Sequence, residues 1–259
     1  MDYFEKIEVK PKDDLVWNIP EQKKGIVNVV GGNNQLFKTE IKVSEFLATT
    51  YPIKDVFTVL PNVLKKTLPA LPNFKFLSSI DSESFSSDEE LKEIFNSADF
   101  NLILGDFSKN KITMRAVASA YQNSEKPLLI TRDGVDLITG ENPEKILMNE
   151  KVILLASMAQ LQKLLRAIYY PKVLLLSQSL VQVAEVLHKL TLSYPISVIT
   201  LHNDRILVAK NGVVKAVPLE KSGYSPIMLW QGKFAAKVAA LNLYNPDNLV
   251  GAVISAIFA

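Results

Sequence analysis

The chain has 259 residues, of which 48% are hydrophobic and 22% charged, a balance that fits one large α/β domain with a deep core and excludes a disordered chain. A formal net charge of +2, with lysines and arginines spread along the chain, excludes the basic footprint of a nucleic-acid-binding protein. With no cysteines there are no disulfides, thiolate zinc ligands or thiol nucleophiles, and two histidines, His188 and His202, argue against a histidine-based metal site. The charged opening Met1–Lys6 predicts no secretory leader, and no apolar run is long enough to span a bilayer. A cytoplasmic protein without nucleic-acid or membrane partners is expected.

Residues 1–24 are polar, mixed in charge and contain Pro11 and Pro20, and predict an N-terminal extension. The first strand is expected at 25–30, running into Gly31-Gly32-Asn33-Asn34. Leu36, Val43, Phe46 and Leu47 then lie on one helical face. Residues 54–60 read as a buried strand that Pro61 ends, with a short helix to Leu68. Residues 69–87, with Pro69, Pro72 and six serines, predict loop around a short strand at 74–77. Ser87-Asp-Glu-Glu90 predicts a capping box opening a helix that presents Leu91, Ile94, Phe95 and Ala98.

A strand at 100–104 ends at Gly105-Asp106, a helix spans about 111–121, and a strand at 127–130 leads into Thr131-Arg-Asp-Gly. After a strand at 152–155, Leu161, Leu164, Leu165 and Ile168 mark a helix. Residues 171–176 are apolar and ambiguous, and Leu180, Val183, Ala184 and Leu187 mark the next helix. A strand at 196–201 precedes two more, 205–210 and 213–217, about Asn211-Gly212, a pair suited to a type I′ turn because both central residues need positive φ. Two helices close the chain, one with Phe234, Val238 and Leu241, the other with Val250, Val253, Ile254 and Ile257. Alternating strands and helices imply a three-layer α/β/α domain over 25–259, with a largely parallel central sheet, a C-terminal β-hairpin and a helix pair.

This order, with several segments, resembles the ribokinase-like superfamily and most of all its NAD(P)H-hydrate dehydratase branch, over roughly residues 25–258. Val27-Asn-Val-Val-Gly-Gly32 is similar to the family's first strand and glycine turn. Pro127-Leu-Leu-Ile-Thr-Arg-Asp-Gly-Val-Asp136 resembles P-L-V-L-D-A-D-A-L-N, keeping the second aspartate as Asp133 and replacing the first by Thr131. Residues 198–212 match the V-V-L-K-G-A-G-T-V-I-A-D-P-D-G segment without a gap. The resemblance implies phosphorylation and dehydration of hydrated NADH or NADPH, with ATP or ADP and Mg2+ as cofactors, in a homo-oligomer. The departures fall on the reacting parts. The T-P-H-P-G-E turn is Leu155-Ala-Ser-Met-Ala-Gln160, the K-G-A-G-T loop is Leu201-His-Asn-Asp-Arg205, and the G-P-G after the middle strand is Gly105-Asp-Phe107. The G-S-G-D loop is Trp230-Gln-Gly-Lys233, so an ammonium stands where a proton acceptor is needed.

Two functions follow. One is a dehydratase-like scaffold or ligand-binding homologue without catalysis. The other is a nucleotide-dependent dehydratase or small-molecule kinase with relocated groups. For the second, Asp133 and Asp106 are the candidate catalytic carboxylates, both just past strand ends, and Gly31, Gly32, Asn33, Gly232 and Lys233 the candidate cofactor-binding residues. Each has a plainer alternative. Asp133 can cap the helix that follows, Gly31-Gly32 can be only a turn, and Lys233 can be solvated. His188 and His202 are expected at the surface, and Trp230 in the vacated nucleotide pocket or at a subunit contact.

Overall fold

The structure, a computed structural model, describes residues 2–8, 19–79, 83–140, 142–219 and 224–258. Residues 9–18 of the expected extension, and 80–82 of the serine-rich loop, lie outside the described residues. Strands are β1 (Phe4–Lys6), β2 (Ile26–Gly31), β3 (Asp55–Pro61), β4 (Phe74–Leu77), β5 (Phe100–Gly105), β6 (Leu128–Thr131), β7 (Val152–Leu155), β8 (Ser197–His202), β9 (Arg205–Lys210) and β10 (Val213–Pro218). Helices are α1 (Lys38–Thr50), α2 (Asp88–Asn96), α3 (Lys111–Asn123), α4 (Gly134–Ile138), α5 (Pro143–Leu147), α6 (Met158–Ala167), α7 (Leu180–Ser193), α8 (Lys233–Tyr244) and α9 (Leu249–Phe258). The strands form one sheet in the order β1-β10-β9-β8-β7-β6-β5-β2-β3-β4, parallel except for the β8-β9-β10 meander.

Strand residues alternate between two apolar layers, as the two-residue period of a strand requires. Val30, Ile103, Ile130, Leu154 and Val198 face α2–α7, whereas Val29, Leu102, Leu129, Ile153 and Ile199 face α1, α8 and α9. Burial on both faces is why these strands read as continuous apolar runs. Two asparagines interrupt the runs on the central pair β2 and β5. Asn28 donates to Ile94 O (2.8 Å) and Asn101 Oδ1 (3.2 Å), and Asn101 donates to Phe95 O (2.9 Å), so both pin the end of α2 to the sheet. Among the described residues no helix is long and apolar enough to cross a membrane.

Several local expectations change. Leu36 lies before α1 and is exposed, so the apolar face of that helix is built from Val43 and Leu47. The predicted capping box at Ser87 is half formed. Ser87 Oγ accepts Glu90 N, but the Glu90 carboxylate turns to Ser78 N and Oγ, both at 2.6 Å, and ties the loop after β4 to the start of α2. Reciprocal boxes form instead at Ser157/Gln160 and Ser179/Gln182. The hairpin turn matches its sequence signal, with φ of 50° at Asn211 and 77° at Gly212. Neither histidine is simply at the surface. His202 is buried with Nε2 on Gln178 O (2.8 Å), and His188 stacks on Tyr3 at 4.0 Å with Nδ1 against Gly212 O. Part of the extension joins the sheet, since Phe4 pairs in parallel with Val214 on β10.

Candidate functional site

The chain leaves β2 through α1 toward β3 on one side, and leaves β5 through α3 toward β6 on the other. The carboxyl ends of β2 and β5 therefore flank the crevice where open α/β sheets bind ligands. Gly31 and Gly32 end one strand, Gly105 and Asp106 the other, and Arg132-Asp133 follow β6 beside them. The pairing of β2 with β5 shifts at Val30/Gly31, and Gly32 N donates to Gly105 O at 2.8 Å. The chain turns sharply at each end, with positive φ at Gly32, Gly105, Asp106 and Arg132.

The structure brings Gly31, Gly32, Asn33, Asp106 and Asp133 together, and it also gives their polar groups partners. Arg132 grips Asp106 with two parallel bonds, Nη2 to Oδ1 at 2.9 Å and Nη1 to Oδ2 at 3.1 Å. Asp133 does not cap α4 through its side chain. Its Oδ1 accepts Asp106 N at 2.7 Å, across to the neighbouring strand end, which corrects the capping expectation. Asn33 accepts Gln35 N and Leu36 N and donates to Asp106 O, a small polar turn that holds the glycine loop to β5. Ser84 Oγ donates to Gly32 O at 2.8 Å, and Gln160 Nε2 donates to Arg132 O at 2.6 Å. Replacing Arg132 by alanine is expected to lower the unfolding free energy by about 2 kcal/mol, because it strands a carboxylate that is almost wholly buried. Urea denaturation of the variant checks this, and adding Asp106→Asn should return part of the loss.

Glu40 is the group that the sequence reading missed. It lies in the first turn of α1, fully buried, and neither carboxylate oxygen has a hydrogen-bond partner in another residue's side chain. A Cβ added to Gly31 would lie 2.5 Å from Glu40 Oε1, so a glycine is needed to admit this carboxyl. Burial, first, and then repulsion from Asp106 push the Glu40 carboxyl up to about 8, partly opposed by its own backbone N–H and by Arg132. The Asp133 carboxyl is also held above its ordinary value, chiefly by burial, against the lowering effect of the Asp106 N–H. The available signal for Glu40 was phase: it stands three and seven residues before Val43 and Leu47, on the apolar stripe of α1.

Gly232 and Lys233, at the head of α8, part company. Gly232 packs beside the crevice, where an added Cβ would lie 3.1 Å from Val43 and 3.5 Å from Leu104. Lys233 is exposed and its Nζ lies 5.5 Å from the centroid of the Phe46 ring on α1. No side chain caps this helix. Residues 201–205, aligned with the nucleotide loop, form a hairpin in which His202 pairs with Arg205 and Asn203-Asp204 make the turn without a glycine. Among the described residues no group of three His, Asp or Glu side chains is arranged to hold a metal ion. Trp230 does not plug the region. It lines a cavity of about 590 Å3 at the carboxyl ends of β7 and β8, together with Met158, Ala159, Leu174, Leu176 and Leu201.

No family model matches the chain, and no curated protein matches its sequence. Solved structures do. The chain aligns with a ribokinase-like superfamily protein of Enterococcus faecalis at a TM-score of 0.63 and 13% identity, covering 100% of this chain and 86% of that one. The chain has the ribokinase-like fold. Two more solved structures agree in architecture. A hypothetical protein of Streptococcus mutans aligns at a TM-score of 0.64 and 12% identity, over 93% of this chain and 84% of that one. The ADP/ATP-dependent NAD(P)H-hydrate dehydratase of Bacillus subtilis, crystallised with ATP and Mg2+ and soaked with CoA, aligns at 0.55 and 10% identity, over 93% and 82%.

Proposed function

We propose that this ribokinase-like chain is a ligand-binding homologue of the NAD(P)H-hydrate dehydratase type that does not transfer phosphate. One observation carries the reading: the head of α8, where the family's proton acceptor is expected, presents Lys233, whose ammonium lies over Phe46. An ammonium accepts no proton from a substrate hydroxyl unless its pKa falls far. The neighbouring carboxylates support the same reading, because Asp106 is held by Arg132 and Asp133 by the Asp106 amide. The turn Asn203-Asp204 adds a carboxylate in the place of a glycine loop that would receive phosphate.

The test uses the purified full chain with hydrated NADH, Mg2+ and either ATP or ADP. No clearance above buffer is expected, and clearance that depends on nucleotide would overturn the reading. Melting curves with each nucleotide should also be flat, since a ligand at a hundred times its dissociation constant would add about 2.7 kcal/mol. A second reading, an enzyme with relocated groups, draws on Glu40, whose carboxyl is pushed up to about 8 and so keeps a proton to donate as a general acid at neutral pH. It requires clearance by the parent chain and its loss in Glu40→Gln.

A further inference from the structure

We propose that the cavity beside Trp230 binds an uncharged, mainly apolar small molecule with a flat ring, and rejects a phosphorylated one. This deepens, and rests on, the reading that the chain binds a ligand without transferring phosphate. The cavity's volume of about 590 Å3 falls within the roughly 300–1,000 Å3 of small-molecule sites. It opens at the carboxyl ends of β7 and β8, on the same edge of the sheet as the crevice between β2 and β5 but separated from it by β6.

Its chemistry decides the ligand class. Met158, Leu174, Leu176 and Leu201 supply apolar walls, and the half-buried Trp230 supplies a flat face for a ring. The polar groups on the wall are the neutral Ser157, Gln162 and Ser177, and among the described residues no charged side chain lines it. An anion would also find the adjacent head of α6 already capped, with Gln160 N on Ser157 Oγ and Ser157 N on Gln160 Oε1. A phosphate placed here would give up its hydration and find no cation among the described lining residues.

The wall is built in advance. Residues 173–178 form one lip, and four bonds made by side chains help to hold them. His202 Nε2 meets Gln178 O at 2.8 Å, and Gln162 Nε2 donates to Leu174 O at 2.8 Å. Gln178 accepts Leu175 N at 2.9 Å and donates to Val173 O at 3.1 Å. The opposite lip is the 3-10 turn Pro226–Trp230. Leu176 on the first lip is 77% exposed and Ile227 on the second 66%, so apolar side chains stand open around the mouth of a preformed cavity.

Isothermal titration calorimetry of the full chain with 2-naphthol, set beside 2-naphthyl phosphate, tests the proposal. We expect saturable one-to-one binding of 2-naphthol and affinity for the phosphate at least about tenfold weaker. Ala159→Phe, an exposed position at the cavity wall, and Leu176→Glu, on the lip, should each weaken 2-naphthol about tenfold or more without changing the melting temperature. Failure to bind 2-naphthol, equal binding of the phosphate, or heat that survives in both variants overturns the proposal. Self-association by light scattering that Ala159→Phe abolishes also overturns it and assigns the groove to a second copy. Nucleotide-dependent clearance of hydrated NADH would bring down the functional reading while leaving a positive 2-naphthol result in place.

Discussion

Glu40→Gln is expected to flatten the pH dependence of stability between about pH 4.5 and 8, and to stabilise the protein above pH 8. The carboxyl titrates at about 8 in the folded chain and at 4.5 when free. Between those values the folded state keeps a proton that the unfolded state has released. Stability therefore falls as pH rises through this window. The protonated carboxyl contributes in full below 4.5, and the contribution is gone once the folded group ionises above 8. The span corresponds to an effect on the order of 4 kcal/mol. Glutamine keeps the shape and stays neutral, so variant and parent should be close near pH 5 and diverge at pH 8.5. Urea unfolding at both pH values reads the difference directly, and parallel profiles would show that Glu40 is ionised in the folded chain.

Gly105→Ala is expected to destabilise the chain by about 4 kcal/mol, adding backbone strain to a clash in a packed site. Gly105 has φ of 94°, a region closed to most residues with a Cβ. A methyl group there would collide with Asp133 Oδ1 and lie 2.7 Å from Gly134 N. The first contact is the oxygen that binds Asp106 N, so relief by moving Asp133 would cost that hydrogen bond as well. Gly140→Ala is the matched control. Its added carbon would meet only the flexible end of Met114, at 2.5 Å, and Leu137 O at 3.3 Å, on an exposed turn. A shift of about 0.5 kcal/mol or less is expected for the control. Thermal unfolding of the pair checks the contrast, and equal shifts would mean that the β5 end yields.

Much of the architecture was legible because each element carries a local signal. Leu128 to Ile130 and Val152 to Leu155 are apolar on both faces, and Leu161, Leu164 and Leu165 repeat at helical spacing. Asn211-Gly212 specified its own turn. The candidate site was legible in position, since the glycines after β2 and the aspartates after β5 and β6 do converge. What those side chains do there was not. Whether Asp133 caps its own helix or reaches the Asp106 amide depends on a neighbouring strand 27 positions away in the chain. His202 looked like a loop residue because its partner, Gln178 O, belongs to a segment without periodicity. Glu40 was overlooked because a glutamate in the first turn of a helix is ordinarily a solvated group favoured by the helix dipole, and here the strand ends close over it.

The strand β1 lies against β10, with Phe4 beside Val214. Its docking edge lies far along the chain, so this pairing closes over a long sequence separation and waits for β10 to be made. The outermost strand is thus a latch that fastens only after the meander has been made.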